Sequence, residues 1–306
     1  MAEQQSTQGN GSTAPAQPSA PAPTGYDAGH TLIYGDSGAG KSTAAATYPT
    51  PQLVWMWDPH GKEMPYKKRW LAEGGRVHLQ DDRFGTPVEY VLDAGGTLQC
   101  QIEHFIDTDP RKPAACERFL QRVDAFHAEM PDWQQGTLIL DSITFYEIAA
   151  RKWSQYKLNP STKEPRQWFA ASTDMLEEML MIRFGSLAMR VVVVAHVDED
   201  KDEVNGEIVR NPSAPGRLRK RNPAGYSELY RQHVLRDSKG DRQYLWQTRA
   251  GGGWNCATQL DTLPDPCRAT YDEVAKAIRA ISRMPSTTTS VPLRISRTAR
   301  SYSWGR

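Results

Sequence analysis

Residues Gly35-Asp36-Ser37-Gly38-Ala39-Gly40-Lys41-Ser42 fit the pattern G-x-x-x-x-G-K-[ST] without a mismatch. The apolar run Thr31-Leu32-Ile33-Tyr34 precedes them, and an alanine-rich stretch from Thr43 to Thr47 comes next, ending at Pro49. Strand, glycine-rich turn and helix are the context in which this pattern forms a phosphate-binding loop. Glycines let backbone N–H groups close around phosphate oxygens at a helix N-terminus, where the dipole already favours anions. On this reading Gly35 to Thr43 cradle the phosphates of a nucleoside triphosphate such as ATP. Lys41 reaches the β- and γ-phosphates, and the Ser42 hydroxyl ligates Mg²⁺.

The remaining chain supplies a sheet to carry that loop. Strands are expected at 31–34, 52–57, 76–79, 137–140, 191–196 and 243–247. Helices are expected at 41–48, 114–129, 142–157, 166–183, 224–232 and 270–282, with a strand pair within 86–106 around Asp93-Ala94-Gly95-Gly96 as a small β insertion. Strands alternating with helices predict an α/β fold, a mostly parallel sheet covered on both faces. The stripe Trp168, Phe169, Met175, Leu176, Met179 and Leu180 lies on one helical face and reads as core packing. Residues 1–28, built from Gln, Ser, Thr, Ala, Pro and Gly, lack apolar periodicity and are expected to form a disordered tail. A second, basic flexible tail is expected at 284–306, which leaves 29–283 as one domain.

Charge is unevenly placed. Residues 1–206 carry 19 Lys/Arg against 28 Asp/Glu, whereas residues 207–306 carry 18 against 8. A basic last third suggests a polyanionic partner. Arg217, Arg219, Lys220 and Arg221 are the densest part of it, after an acidic, hairpin-like stretch with the turn Asn205-Gly206. They are candidates for gripping nucleic-acid phosphates. The four cysteines, Cys100, Cys116, Cys256 and Cys267, show no metal-ligand or disulfide spacing, which points to reduced thiols in a cytoplasmic protein. No signal peptide or membrane span is legible.

Three further residues belong with the loop. Thr137-Leu138-Ile139-Leu140-Asp141 is a buried-type strand ending in an acid, the pattern in which a carboxylate holds Mg²⁺. Asp58 ends the run Leu53 to Trp57 and His196 ends Val191 to Ala195, so both should reach the same ligand edge of the sheet. There Asp58 could orient an attacking water, with Glu63 as the fallback, and His196 could sense the γ-phosphate.

Taken together, Leu32-Ile33-Tyr34-Gly35…Gly40-Lys41-Ser42, Leu138-Ile139-Leu140-Asp141-Ser142 and Val193-Val194-Ala195-His196 resemble the RecA-type P-loop ATPases. The resemblance is closest to phage-encoded RecA-like proteins of recombination and single-strand annealing, and Asp-Ser after the acid strand favours that type over AAA+. It implies an ATPase acting on single-stranded DNA, a homo-oligomer, and recombination or replication proteins as partners, in the host cytoplasm. It places a DNA-binding loop at roughly 197–222. One departure is Trp57-Asp58-Pro59-His60, where the family usually has Glu as the base. Two rivals share the phosphate loop: a kinase of a small molecule or nucleotide, and a slow nucleotide-switched assembly or packaging module.

Overall fold

The computed structural model describes residues 29–201 and 206–283. The expected tails at 1–28 and 284–306, and Asn205 of the hairpin turn, lie outside the described residues. In chain order the elements begin with β1 (His30–Tyr34), α1 (Lys41–Ala45), β2 (Gln52–Met56), α2 (Met64–Ala72), β3 (Arg76–Asp81), β4 (Pro87–Leu92) and β5 (Leu98–His104). They continue with α3 (Ala115–Trp133), β6 (Thr137–Asp141), α4 (Ile143–Trp153), α5 (Pro165–Glu177), β7 (Arg190–Ala195), β8 (Val197–Lys201) and β9 (Ile208–Pro212). The last are α6 (Leu218–Arg221), β10 (Glu228–Arg236), β11 (Arg242–Gln247), β12 (Cys267–Arg268) and α7 (Tyr271–Ser282).

The main sheet runs β12-β11-β10-β1-β7-β6-β2-β5-β4-β3. Its centre, from β10 to β5, is parallel, and both flanks are antiparallel. Central parallel strands are buried on both faces, which explains their continuous apolar sequences. Successive residues supply opposite cores, as the two-residue strand period requires. Leu32, Leu53, Trp55, Leu138, Leu140, Val191 and Val193 pack with Phe119 and Val123 of α3, Tyr146 of α4 and Leu176 of α5. Ile33, Val54, Ile139, Val192 and Val194 face the other way, onto Ala44 of α1, Tyr66 of α2 and Val274 of α7. The α/β architecture with helices on both faces is therefore as expected.

Several local expectations change. Residues 224–232, expected as helix, contribute instead to strand β10, which pairs with β1 in parallel. Leu229 packs into one core and Tyr230 into the other, a period-two pattern that a helix cannot serve. The expected strand pair is present as β4 and β5, but β5 also pairs with β2, so the small insertion is continuous with the main sheet. Helix α1 stops at Ala45 rather than running to 48. In the 166–183 stripe, Leu176, Met179 and Leu180 are buried as expected, whereas Phe169 is exposed.

Candidate nucleotide site

The parallel strands β1, β2, β6 and β7 end at one sheet edge, which is where ligands bind in open α/β sheets. Gly35 to Ser42 connect β1 to α1 there. Gly35 must be glycine because a Cβ would stand 2.4 Å from the Gln232 carbonyl oxygen. Gly40 has φ +88°, a left-handed conformation, and a Cβ there would meet the Tyr244 ring at 2.5 Å. Lys41 is only 6% exposed, and its Nζ donates to the carbonyls of Gly35 (3.0 Å) and Asp36 (2.9 Å). Burial lowers the Lys41 pKa, while the charges of Asp141, Asp58 and Asp36 act to raise it.

Asp141 ends β6, next to β2 in the sheet, and pairs in register with Met56. Its carbonyl accepts the N–H groups of Trp57 (2.6 Å) and Asp58 (3.3 Å), which fixes the chain just beyond β2 against it. Three side-chain contacts then set the two carboxylates. The Tyr66 hydroxyl donates to Asp141 Oδ2 at 2.8 Å, Ser42 donates to Asp141, and Ser142 Oγ donates to Asp58 Oδ1 at 2.7 Å. Asp141 is 1% exposed; burial, reinforced by the charge of Asp58, pushes its pKa up to about 6.

Strand β7 lies between β1 and β6, so His196 comes at the end of a strand that separates the phosphate loop from Asp141. The His196 amide donates to Thr144 Oγ1 at 3.1 Å. Burial, and after it the Lys41 charge, holds the imidazole below its ordinary pKa, so it is neutral at neutral pH. Lys41, Ser42, Asp58, Asp141 and His196 line one cavity of ≈ 280 Å³, together with Ser37, Gly38, Gly40 and Thr43. Its lining also includes Gly61, Lys62, Pro65 and Tyr244, which sequence reasoning missed. Tyr66 was missed as well, since no pattern signals a tyrosine that buttresses a carboxylate 75 residues away.

The donors present suit Mg²⁺. Among the described residues no three His, Cys, Asp or Glu side chains cluster as a metal cage. Magnesium is instead held by one or two carboxylates together with substrate phosphates. The hydrogen-bonded pair of Ser42 and Asp141, beside Lys41, is such a set.

The other candidates are placed differently. Glu63 is held by Lys67 Nζ at 3.2 Å and by the Gly61 N–H at 2.7 Å, and it does not line the cavity. The basic run forms α6 and the turn before it, and none of its residues lines the phosphate cavity. Arg217 pairs with Asp174 and Glu177, Arg219 with Asp198 and Asp200, and Arg221 with Glu177. Lys220 is exposed. The strongest stretch of positive charge is thus largely answered by acids of the same chain.

A family model described as an AAA domain matches residues 29–221. The chain belongs to this family. That makes it an AAA-type P-loop ATPase domain, a coarser assignment than the RecA type that Asp141-Ser142 had suggested. No curated protein matches the chain in sequence. Solved structures that match include an ATPase from the type III secretion system of pathogenic bacteria, at 15% identity and TM-score 0.39, with 67% of this chain and 52% of that one covered. The chain thus spans about half the length of that ATPase. A KaiC-like protein from Pyrococcus horikoshii matches at 11% identity and TM-score 0.35, over 76% of this chain and 84% of that one. The ATPase EscN of enteropathogenic E. coli, solved with its central stalk EscO, gives 13% identity and TM-score 0.41, over 92% and 57%. Among the described residues no helix is long and apolar enough to cross a membrane.

Proposed function

We propose that this AAA domain is a Mg²⁺-dependent ATPase of RecA-like type whose nucleotide state controls binding of single-stranded DNA. The observation that carries the nucleotide part is the convergence of Lys41, Ser42, Asp58, Asp141 and His196 on one cavity behind a phosphate loop. The loop amides and Lys41 hold the triphosphate. Asp58 orients a water for in-line attack on the γ-phosphate and accepts its proton, with Ser142 fixing the carboxylate. Tyr66 and Ser42 orient Asp141. Bound Mg²⁺ supplies positive charge to the phosphate oxygens. Neutral His196 donates a single hydrogen bond toward the γ-phosphate.

The DNA part rests on the chain segment just beyond His196. The His196 carbonyl accepts the Ser213 N–H at 2.8 Å, which closes the β8–β9 hairpin directly onto it. Arg219 ties α6 to Asp198 and Asp200 of the same hairpin. A shift at His196 is therefore mechanically linked to the hairpin and the basic run. Phage recombination or replication is the setting this reading favours, with a homo-oligomer as the working form and other proteins of those processes as partners.

Anisotropy of a labelled single-stranded oligonucleotide, titrated across salt with and without ATP, tests the DNA part. Neutralising Arg217, Arg219, Lys220 and Arg221 together should weaken binding and lower the log–log salt slope by roughly 0.7 for each phosphate left without its cation. His196→Ala should leave basal DNA affinity in place and remove its dependence on ATP. Wild-type protein that binds no single strand at low salt, with or without ATP, defeats the DNA part. An ATPase rate indifferent to DNA then favours a kinase or a slow switch.

A further inference from the structure

Strand β3 closes the end of the main sheet opposite β12. Among the described residues it pairs with β4 alone, so its outer edge carries backbone groups with no neighbouring strand. The Asp82 N–H donates to the Thr86 carbonyl at 2.9 Å, which makes those two a hydrogen-bonded pair. Such pairs alternate along an antiparallel ladder, and the β3–β4 register runs unbroken from Asp81 opposite Pro87 to Arg76 opposite Leu92. The backbone groups of Gln80, His78 and Arg76 therefore serve β4, and those of Val77, Leu79 and Asp81 point outward.

All six residues of β3 are exposed, Val77 by 36% and Leu79 by 67%. No lysine, proline or bulge interrupts the strand, and its charges sit only at its ends, Arg76 and Asp81. An edge of this kind is a template for another strand. A parallel copy would set Arg76 beside Arg76 and Asp81 beside Asp81. An antiparallel copy sets the basic end of each strand against the acidic end of the other.

Antiparallel pairing also requires outward residues to face outward residues, which leaves few registers. Setting Leu79 opposite the partner's Leu79, or opposite the partner's Asp81, puts an apolar residue across from a carboxylate. Setting Val77 opposite the partner's Val77 leaves Leu79 across from Gly75, whose N–H is already given to the Trp70 carbonyl at 2.8 Å. With Val77 opposite the partner's Leu79, both apolar pairs match, and His78 lies on the twofold axis. We propose that β3 is a self-association edge, on which two copies of this chain pair antiparallel in that register and join their main sheets into one. A twofold contact of this kind closes on itself and stops at the dimer. No residue of β3 lines the phosphate cavity, so the inference stands apart from the nucleotide reading.

Sedimentation velocity of the full chain across a range of concentrations tests the edge, and wild-type protein should form a reversible dimer. Leu79→Pro should raise the dimer dissociation constant by about tenfold or more, because proline removes an outward N–H and none that bonds β4. Leu79→Lys, which keeps the backbone and brings like charges together, should act in the same direction. Circular dichroism should show both variants folded. His78→Cys reads the register, since antiparallel partners that do not exchange hydrogen bonds have Cα atoms about 4.5 Å apart, within disulfide reach. Mild oxidation should link it into a covalent dimer that reductant reverses. Wild type, whose four cysteines are buried, and Leu79→Cys, set two residues away from its own copy, should give little. A wild-type protein that stays monomeric throughout would overturn the interface, as would an assembly that folded Leu79→Pro and Leu79→Lys leave intact. Stronger cross-linking through Leu79→Cys than through His78→Cys would overturn the register.

Discussion

Lys41→Ala is expected to cut ATP turnover by about 10²–10³-fold, the usual cost of removing one preorganised group aimed at developing charge. Burial is the reason for so large an effect. The ammonium is almost enclosed, and burial depresses its pKa even with three carboxylates acting in the opposite direction. A cation in that setting interacts with phosphate oxygens far more strongly than it would in water. Its two contacts within the protein are to carbonyls of its own loop, so truncation leaves no buried carboxylate without its hydrogen-bond donors. Thermal unfolding monitored by circular dichroism should therefore show a folded variant. Phosphate release checks the rate, and wild-type turnover in folded Lys41→Ala would contradict the assignment.

Asp58→Asn should bind ATP with near wild-type affinity and hydrolyse it about 10²–10⁴-fold more slowly, the range that a general base contributes. Asparagine keeps an oxygen able to accept from Ser142 Oγ, so the local geometry is preserved while the proton acceptor is removed. Glu63 offers no replacement within the chain, since Lys67 and the Gly61 N–H hold it outside the cavity lining. Single-turnover hydrolysis with saturating ATP measures the step. A loss below about threefold would move the role to a residue from a neighbouring subunit.

The sequence was most informative where chemistry forces local pattern. The phosphate loop, Asp141 and His196 sit in or immediately after apolar strands whose ends must meet at one edge, so motif and periodicity sufficed. Strand β10 was misread because Glu228 to Arg236 mixes polar and apolar residues; only its place between β1 and β11 makes the alternation meaningful. Tyr66, Lys62 and Tyr244 reach the site through tertiary packing of segments that carry no motif. The basic run shows the limit of charge reading. Arg217 meets Asp174, 43 positions away, and that neutralisation cannot be read from a linear count.

Calorimetric titration with ATP, in Mg²⁺ and again in excess EDTA, tests the central claim most directly. The wild-type protein is expected to bind ATP in both conditions and markedly more tightly with Mg²⁺. Asp141→Asn should retain the metal-free affinity and lose the Mg²⁺ enhancement. A wild-type protein with no measurable ATP affinity, or an Asp141→Asn variant with an undiminished Mg²⁺ enhancement, would contradict it.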